Sequence, residues 1–362
     1  MAEVTSTIDE VCAAEEADID RIVLADIDHI AAVHAAISGS DPAFWLTLGA
    51  AHRRKIERYG FATFKRHINF QYGQWGISTF RSQFTRRVFA SLMRAAKFPW
   101  GAFAHVDWHN ADDIRWPEWI DVETGESHES EERSRRRLLA YALYCGLLWQ
   151  YASTGDNLGC LTIQEPALGR PMPIWLRGRL ISQDIATASL DLNRMAAHIP
   201  LHEIKQVLEI GAGYGRLAYL FHSLFPAAQY SIADISPALA VSQNYLAAVF
   251  GEDRVRRFGF TPAPARAINF LLPHQLDQMA DGYFDLAINV SSFDEMPPEV
   301  SIGYLRTIER VCRGYVFLEG YARASHAGRL GLDELPYNSS WRLLYSRPHG
   351  LFPGWVEKVF AI

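Results

Sequence analysis

The sequence predicts an α/β protein: a doubly wound parallel sheet, closed by an antiparallel hairpin, follows a mainly helical N-terminal part. Three observations carry this. Beyond about residue 200, short apolar runs alternate with helical stretches, the pattern of parallel strands joined by crossover helices. The first run ends in closely spaced glycines, Gly211, Gly213 and Gly215, which mark a sharp strand-to-helix turn. The last two runs, Trp341–Ser346 and Trp355–Ile362, flank Arg347-Pro348-His349-Gly350 and read as a hairpin.

Taken in order, residues 1–20 read as a mobile acidic arm. Residues 21–180 form a mainly helical unit, and 181–362 carry the sheet. Residues 21–99 repeat aromatic and aliphatic positions at helical spacing: Phe44, Trp45 and Leu48, then Ile56, Tyr59, Phe61 and Phe64. Trp100 to Glu132, rich in Asp, His and Trp, reads as loops, as does Thr154 to Arg179 with its glycines and prolines. Between them, Leu138 to Ala152 reads as a buried helix entered through the charged turns Glu131–Arg137. Strands are expected at Gln206–Ile210, Gln229–Ala233, Ala267–Leu272, Phe284–Val290 and Tyr315–Leu318. Helices are expected at Leu217–Leu224, Pro237–Phe250, near Gln275–Met279, and at Pro298–Val311.

With 362 residues, 49% apolar and 21% charged, the chain is too long for one ordinary domain and too apolar for disorder. Its 35 basic and 41 acidic side chains give −6. The first twenty residues hold seven acids and no base, so the rest is nearly neutral. That argues against gripping nucleic acid by bulk charge and for a small-molecule partner. Four scattered cysteines, no leader and no apolar run of about 18 residues point to a reducing, cytoplasmic setting away from the membrane. A homo-oligomer stays open.

Two cofactor classes use such a glycine loop. A dinucleotide fingerprint places its third glycine where this chain has Arg216. Glu209, two residues before Gly211, would repel a pyrophosphate but suits a ligand with an ammonium and a sulfonium. That ligand is S-adenosylmethionine (S-adenosyl-L-methionine), and the loop resembles motif I of class I methyltransferases, whose Rossmann-like sheet also ends in an antiparallel hairpin. Asp234, 23 residues after Gly211, ends the second strand where a carboxylate can accept both ribose hydroxyls, with Ile235 beside it. His274 and Gln275, after the third strand, stand where the adenine edge would lie.

Three further stretches resemble one family, the sugar O-methyltransferases found beside polysaccharide and natural-product gene sets. They are Tyr59–Arg66 continuing to Gln71-Tyr72-Gly73-Gln74-Trp75; Glu165-Pro166 with Gly169, Pro171 and Gly178–Asp184; and Asn289–Pro297. The resemblance covers roughly residues 40 to 362. It implies methyl transfer from S-adenosylmethionine to a hydroxyl of a sugar or glycosylated metabolite, under a helical part that closes over the substrate.

A sugar hydroxyl is a weak nucleophile at neutral pH, so a general base is useful. Glu295 is the expected base and Asp294 its competitor, because both follow the fourth strand and face the transferred methyl. The alternative is that Glu295 and Glu299 only cap the next helix. Asn289 would contact the methionine portion or the acceptor. Arg179, Ser182 and Gln183, with Asp184, would hold the cofactor's amino-acid end, or else Ser182 merely caps a helix. Tyr72, Trp75 and Trp108 would stack on a sugar face, or else belong to the core. His105, Asp107 and His109 would share a face if extended, as a base with its orienting group or part of a metal site, or else are surface loop residues; no metal is expected. Methylation of a non-sugar natural product at O or N, or a silent partner subunit, are the competing readings. A nicotinamide oxidoreductase is disfavoured by Glu209 and Arg216.

Overall fold

The computed structural model describes residues 2–38, 43–67, 83–96, 98–112, 114, 117–120, 127–129, 131–259, 267–324 and 328–362. The helical part is built from α1 (Ala2–Ser38), α2 (Ala43–Tyr59), α3 (Gln83–Ala95) and α4 (Glu131–Ser153). Helix α1 buries Val23, Ile27, Ile30 and His34, a stripe at steps of three and four residues that lays one face on the core. The acidic stretch expected as a separate arm is the first half of this helix. Residues 2–38 contain no glycine or proline, so nothing in the backbone stops the helix at residue 20. Helix α4 buries Leu138, Tyr141, Tyr144, Cys145 and Leu148, as its apolar run demands.

The region expected as loops carries short strands. Pro117–Ile120 pairs with Ser127–Glu129, and His105–Val106, Ile174–Leu176 and Arg179–Leu180 form a small antiparallel sheet. Helix α5 (Gln183–Ala196) then leads into the main sheet.

That sheet contains β1 (Gln206–Ile210), β2 (Gln229–Ala233), β3 (Val255–Arg256), β4 (Ile268–Leu271), β5 (Phe284–Val290), β6 (Cys312–Tyr321), β7 (Arg342–Pro348) and β8 (Trp355–Ala361). Their order is β7-β8-β6-β5-β1-β2-β4-β3. Strands β1 to β6 run parallel, while β8 is antiparallel to both β6 and β7. Helix α6 (Arg216–Leu224) joins β1 to β2, α7 (Ala238–Phe250) follows β2, and α8 (Pro298–Val311) joins β5 to β6. This is a Rossmann-like, mainly parallel sheet, with the expected terminal hairpin in place. Its departures from expectation are small: β3 is a two-residue addition, β6 extends at both ends, and the helix expected near Gln275–Met279 is a 3₁₀ turn over Pro273–Gln278.

The chain order reverses between β1 and β5, so the loops after these strands diverge and open a crevice at their carboxyl ends. The border expected at residue 180 is not a break in packing, because one hydrophobic core runs from Val23 through Leu148 and Ile185 to Val207 and Val359. Among the described residues no helix is long and apolar enough to cross a membrane. Cys145, Cys160 and Cys312 are buried free thiols.

Candidate functional site

The site is built from the loops after β1, β2, β4 and β5. The first turns on three glycines at positive φ: Gly211 at 75°, Gly213 at 60° and Gly215 at 89°. Gly211 also lies against the β5 loop, since a Cβ there would stand 2.3 Å from Ser292 Oγ. Gly211 N donates to Ala233 O at 2.9 Å, and Gly213 N donates to Asp234 Oδ2 at 3.2 Å. Asp234 Oδ1 accepts from Ile235 N at 2.8 Å. The carboxylate at the end of β2 therefore sits on the glycine loop itself. Burial pushes the Asp234 carboxyl up to about 7 against these amide donors. Glu209 is buried on β1, where its Oε2 accepts from Tyr230 OH at 2.8 Å, and burial lifts its carboxyl to about 7 as well.

Asn289 has a different task from the ligand contact expected of it. It is fully buried, and its amide nitrogen donates to Ile210 O at 2.9 Å and to Ser292 Oγ. Its Oδ1 accepts from Phe293 N at 3.3 Å. The side chain thus ties the end of β1 to the loop after β5, because a polar amide this deep must satisfy both ends within the protein.

Asp294 and Glu295 follow in a 3₁₀ turn, Phe293–Glu295. Asp294 is buried with Oδ1 packed over Gly320, whereas Glu295 is exposed. The protein around Glu295, with the like charges of Asp294 and Asp234, pushes its carboxyl up to about 8. Glu295 is thus open to solvent, yet near enough to Asp294 and Asp234 for their charges to raise it further. The capping alternative does not describe Glu295: the N-cap of α8 is Pro297, with no side-chain bond. Tyr304 of α8, which sequence reasoning passed over, stacks on Phe293 with centroids 5.9 Å apart, and its phenol is raised by burial and by Asp234.

At the β4 end, His274 is half-buried and Gln275 bends back so that Oε1 accepts from Leu272 N at 2.8 Å. Gln275 therefore caps its own turn. His274 is lowered by burial and by His34 on α1.

Arg179 is not free for a carboxylate. Its guanidinium donates to Leu161 O and Thr162 O, because the bend in the chain at these residues leaves two carbonyls to be satisfied. Ser182 is the N-cap of α5, accepting from Ile185 N at 3.1 Å and donating to Glu165 Oε2. Gln183 is fully buried in the first turn. Trp108 is exposed with the Arg135 guanidinium 5.6 Å from its ring centroid. Tyr72 and Trp75 lie outside the described residues. His105 and His109 do not share an extended face, because the chain turns at Asp107, which accepts from His109 N and from Asn110 Nδ2.

What sequence reasoning missed is how these motifs meet. Tyr214, between Gly213 and Gly215, donates its hydroxyl to Asp184 Oδ2 at 2.6 Å. Lys65 forms a fully buried ion pair with Glu165 and lies over the rings of Tyr214 and Tyr245, 5.3 and 4.6 Å from their centroids. The spacing of Lys65 and Glu165, a hundred residues apart, gave no signal of this.

Behind the glycine loop, Arg216 donates to Thr187 Oγ1 and lies 3.9 Å from Asp191, whose carboxyl burial raises to about 6. Glu319, His349 and Glu357 continue this buried cluster, with potential ligand atoms within 4.8 Å of one another. Its hydrogen bonds do not suit a metal. His349 Nδ1 accepts from Leu351 N at 3.0 Å and Phe352 N at 2.9 Å, so the ring proton sits on Nε2, facing Glu357 at 3.6 Å and Glu319 at 3.9 Å. Arg194 and Arg347 already balance Glu357 at 2.9 and 3.5 Å.

No family model matches the chain, and no curated protein matches it. Over about half its length the chain is similar to solved structures. The PH0226 protein from Pyrococcus horikoshii is matched over 50% of this chain and 92% of its own, at 12% identity and a TM-score of 0.37. A SAM dependent methyltransferase from Aquifex aeolicus is matched over 44% of this chain and 82% of its own, at 13% identity and 0.32. Phosphoethanolamine N-methyltransferase 1 from Haemonchus contortus, in complex with phosphoethanolamine and S-adenosylhomocysteine, is matched over 48% of this chain at 15% identity and 0.33; this chain spans 42% of its length.

Proposed function

We propose that the chain is a methyltransferase that uses S-adenosylmethionine, and that it methylates a hydroxyl of a sugar or glycosylated metabolite in the cytoplasm. The observation that carries the first part is the acid set at the carboxyl ends of the strands: Glu209 before the glycines, Asp234 on the glycine loop, and Glu295 in the turn after β5. Carboxylates at these points suit a ligand with an ammonium, a sulfonium and vicinal hydroxyls, and repel a diphosphate. The residues present therefore fit this cofactor.

When bound, S-adenosylmethionine supplies a methyl group already activated by a positive sulfur. Glu209 and the loop amides would hold its amino-acid end, and Asp234 its ribose hydroxyls. Glu295 would take the proton from the acceptor oxygen, work worth typically about 10²–10⁴-fold. Alignment of acceptor and methyl group contributes on the order of 7–11 kcal/mol at best. The choice of a sugar rests on the resemblance of Tyr59–Trp75, Glu165–Asp184 and Asn289–Pro297.

Titration calorimetry with S-adenosylhomocysteine and with NADH tests the cofactor; binding of NADH alone would overturn the reading. Incubation with labelled S-adenosylmethionine and a panel of nucleotide sugars, glycosides and aglycone natural products tests the acceptor. Transfer only to aglycones would remove the sugar, and transfer to none would favour a silent subunit.

A further inference from the structure

A glycine loop has few side chains by which its shape can be held, and here one, Tyr214, stands between two glycines at positive φ. Its hydroxyl is tied to Asp184 at the start of α5. Its ring meets Phe64 and Tyr245 edge-on, with centroids 5.4 and 5.2 Å apart. Lys65 completes the enclosure: Nζ lies over the Tyr214 ring, donates to Tyr245 OH at 3.2 Å and pairs with Glu165, and Glu165 in turn accepts from Ser182, the cap of α5. Phe64 and Lys65 belong to the helical part. Lys65 N donates to Gly169 O at 2.9 Å, and a Cβ on Gly169 would meet the Phe64 ring at 2.6 Å, which fixes both residues closely.

A buried ion pair contributes little stability over an apolar pair of the same shape, so stability alone is a weak account of Lys65 and Glu165. We propose that Lys65, paired with Glu165, is a positioning residue for the glycine loop: it fixes Tyr214 and makes cofactor affinity depend on the helical part. This rests on the methyltransferase reading. Holding a flexible loop in its binding shape raises affinity by lowering the ordering cost of binding.

The test is titration of S-adenosylhomocysteine into the full chain. Removing one charge alone would strand the other, so the informative variant is Lys65→Met combined with Glu165→Gln, with thermal unfolding measured alongside. The proposal expects the double variant to melt near wild type yet bind about tenfold or more weakly, while Lys65→Arg, which keeps the charge over the ring, stays near wild-type affinity. Tyr214→Phe, which keeps the ring and loses only the hydroxyl, gives a second reading of the same loop and is expected to weaken binding without lowering the melting temperature in proportion. Wild-type affinity in both the double variant and Tyr214→Phe would overturn the positioning role. A wild-type protein that binds no S-adenosylhomocysteine would overturn the methyltransferase reading beneath it.

Discussion

Gly211 combines two constraints that no other residue satisfies, a φ of 75° and the Ser292 hydroxyl where a Cβ would go. Gly211→Ala is expected to lose about 1–3 kcal/mol of stability and most binding of S-adenosylhomocysteine, read by denaturant unfolding and calorimetry. Retained affinity would mean that the loop adapts. Glu295 makes a prediction of another kind. Its carboxyl, lifted to about 8, is largely protonated at neutral pH, and only the ionised form can accept a proton. Methyl transfer, measured as kcat/KM, should therefore rise with pH and level off above about 8. Glu295→Gln should lower kcat by about 10²–10⁴-fold and flatten that rise. An unchanged profile in the variant would move proton removal to another group.

Helix α1 is held against α7 and the loop after β2 by contacts that its sequence did not announce. Asp26 Oδ2 accepts from Gln243 Nε2 at 2.7 Å, Asn244 Nδ2 at 2.8 Å and Arg257 at 3.1 Å, and Ser236, two residues after Asp234, donates to Ile27 O at 2.9 Å. Asp26→Ala should destabilise the protein by about 1.5–3 kcal/mol, the usual worth of hydrogen bonds to a charged group. It should also speed amide hydrogen exchange in residues 20–36; unchanged exchange would show that the apolar stripe alone docks the helix. Elements whose cause is local were legible: the apolar runs at Gln206–Ile210 and Phe284–Val290 form strands at those bounds, and Ser182 caps a helix as its chemistry allows. Elements whose cause is tertiary were not. The acids of residues 1–20 suggested a solvated arm, but it is the docking of residues 23–34 and an unbroken helical backbone that decide their conformation. Likewise, Arg179 reads as an anion ligand until the fold brings two carbonyls to it, and nothing local in the sequence around Lys65 shows that Glu165, a hundred residues later, will bury it in an ion pair.

The molecule as a whole carries more buried acid than its near-neutral body suggested. Asp191 at about 6, Glu209 and Asp234 at about 7, and Glu319 well above the ordinary range all hold protons longer in the fold than in the unfolded chain. A group that binds protons more tightly when folded contributes stability that fades as pH rises through its folded value. Buried His349, lowered to about 3, acts in the opposite direction, but only below its unfolded value near 6.5. Between about pH 6.5 and 8 the carboxyls act without that opposition, so the ligand-free protein should melt at steadily lower temperature across this window. A cationic ligand reverses the preference at Glu209 and Asp234 by favouring their ionised forms. The rise in melting temperature caused by S-adenosylmethionine should therefore grow over the same window. It should grow less with S-adenosylhomocysteine, which keeps the ammonium but lacks the sulfonium charge. Differential scanning calorimetry at several pH values reads both trends. Equal growth for the two ligands would place the sulfonium out of reach of these acids, and a flat ligand-free profile would mean that the acids are already ionised in the fold.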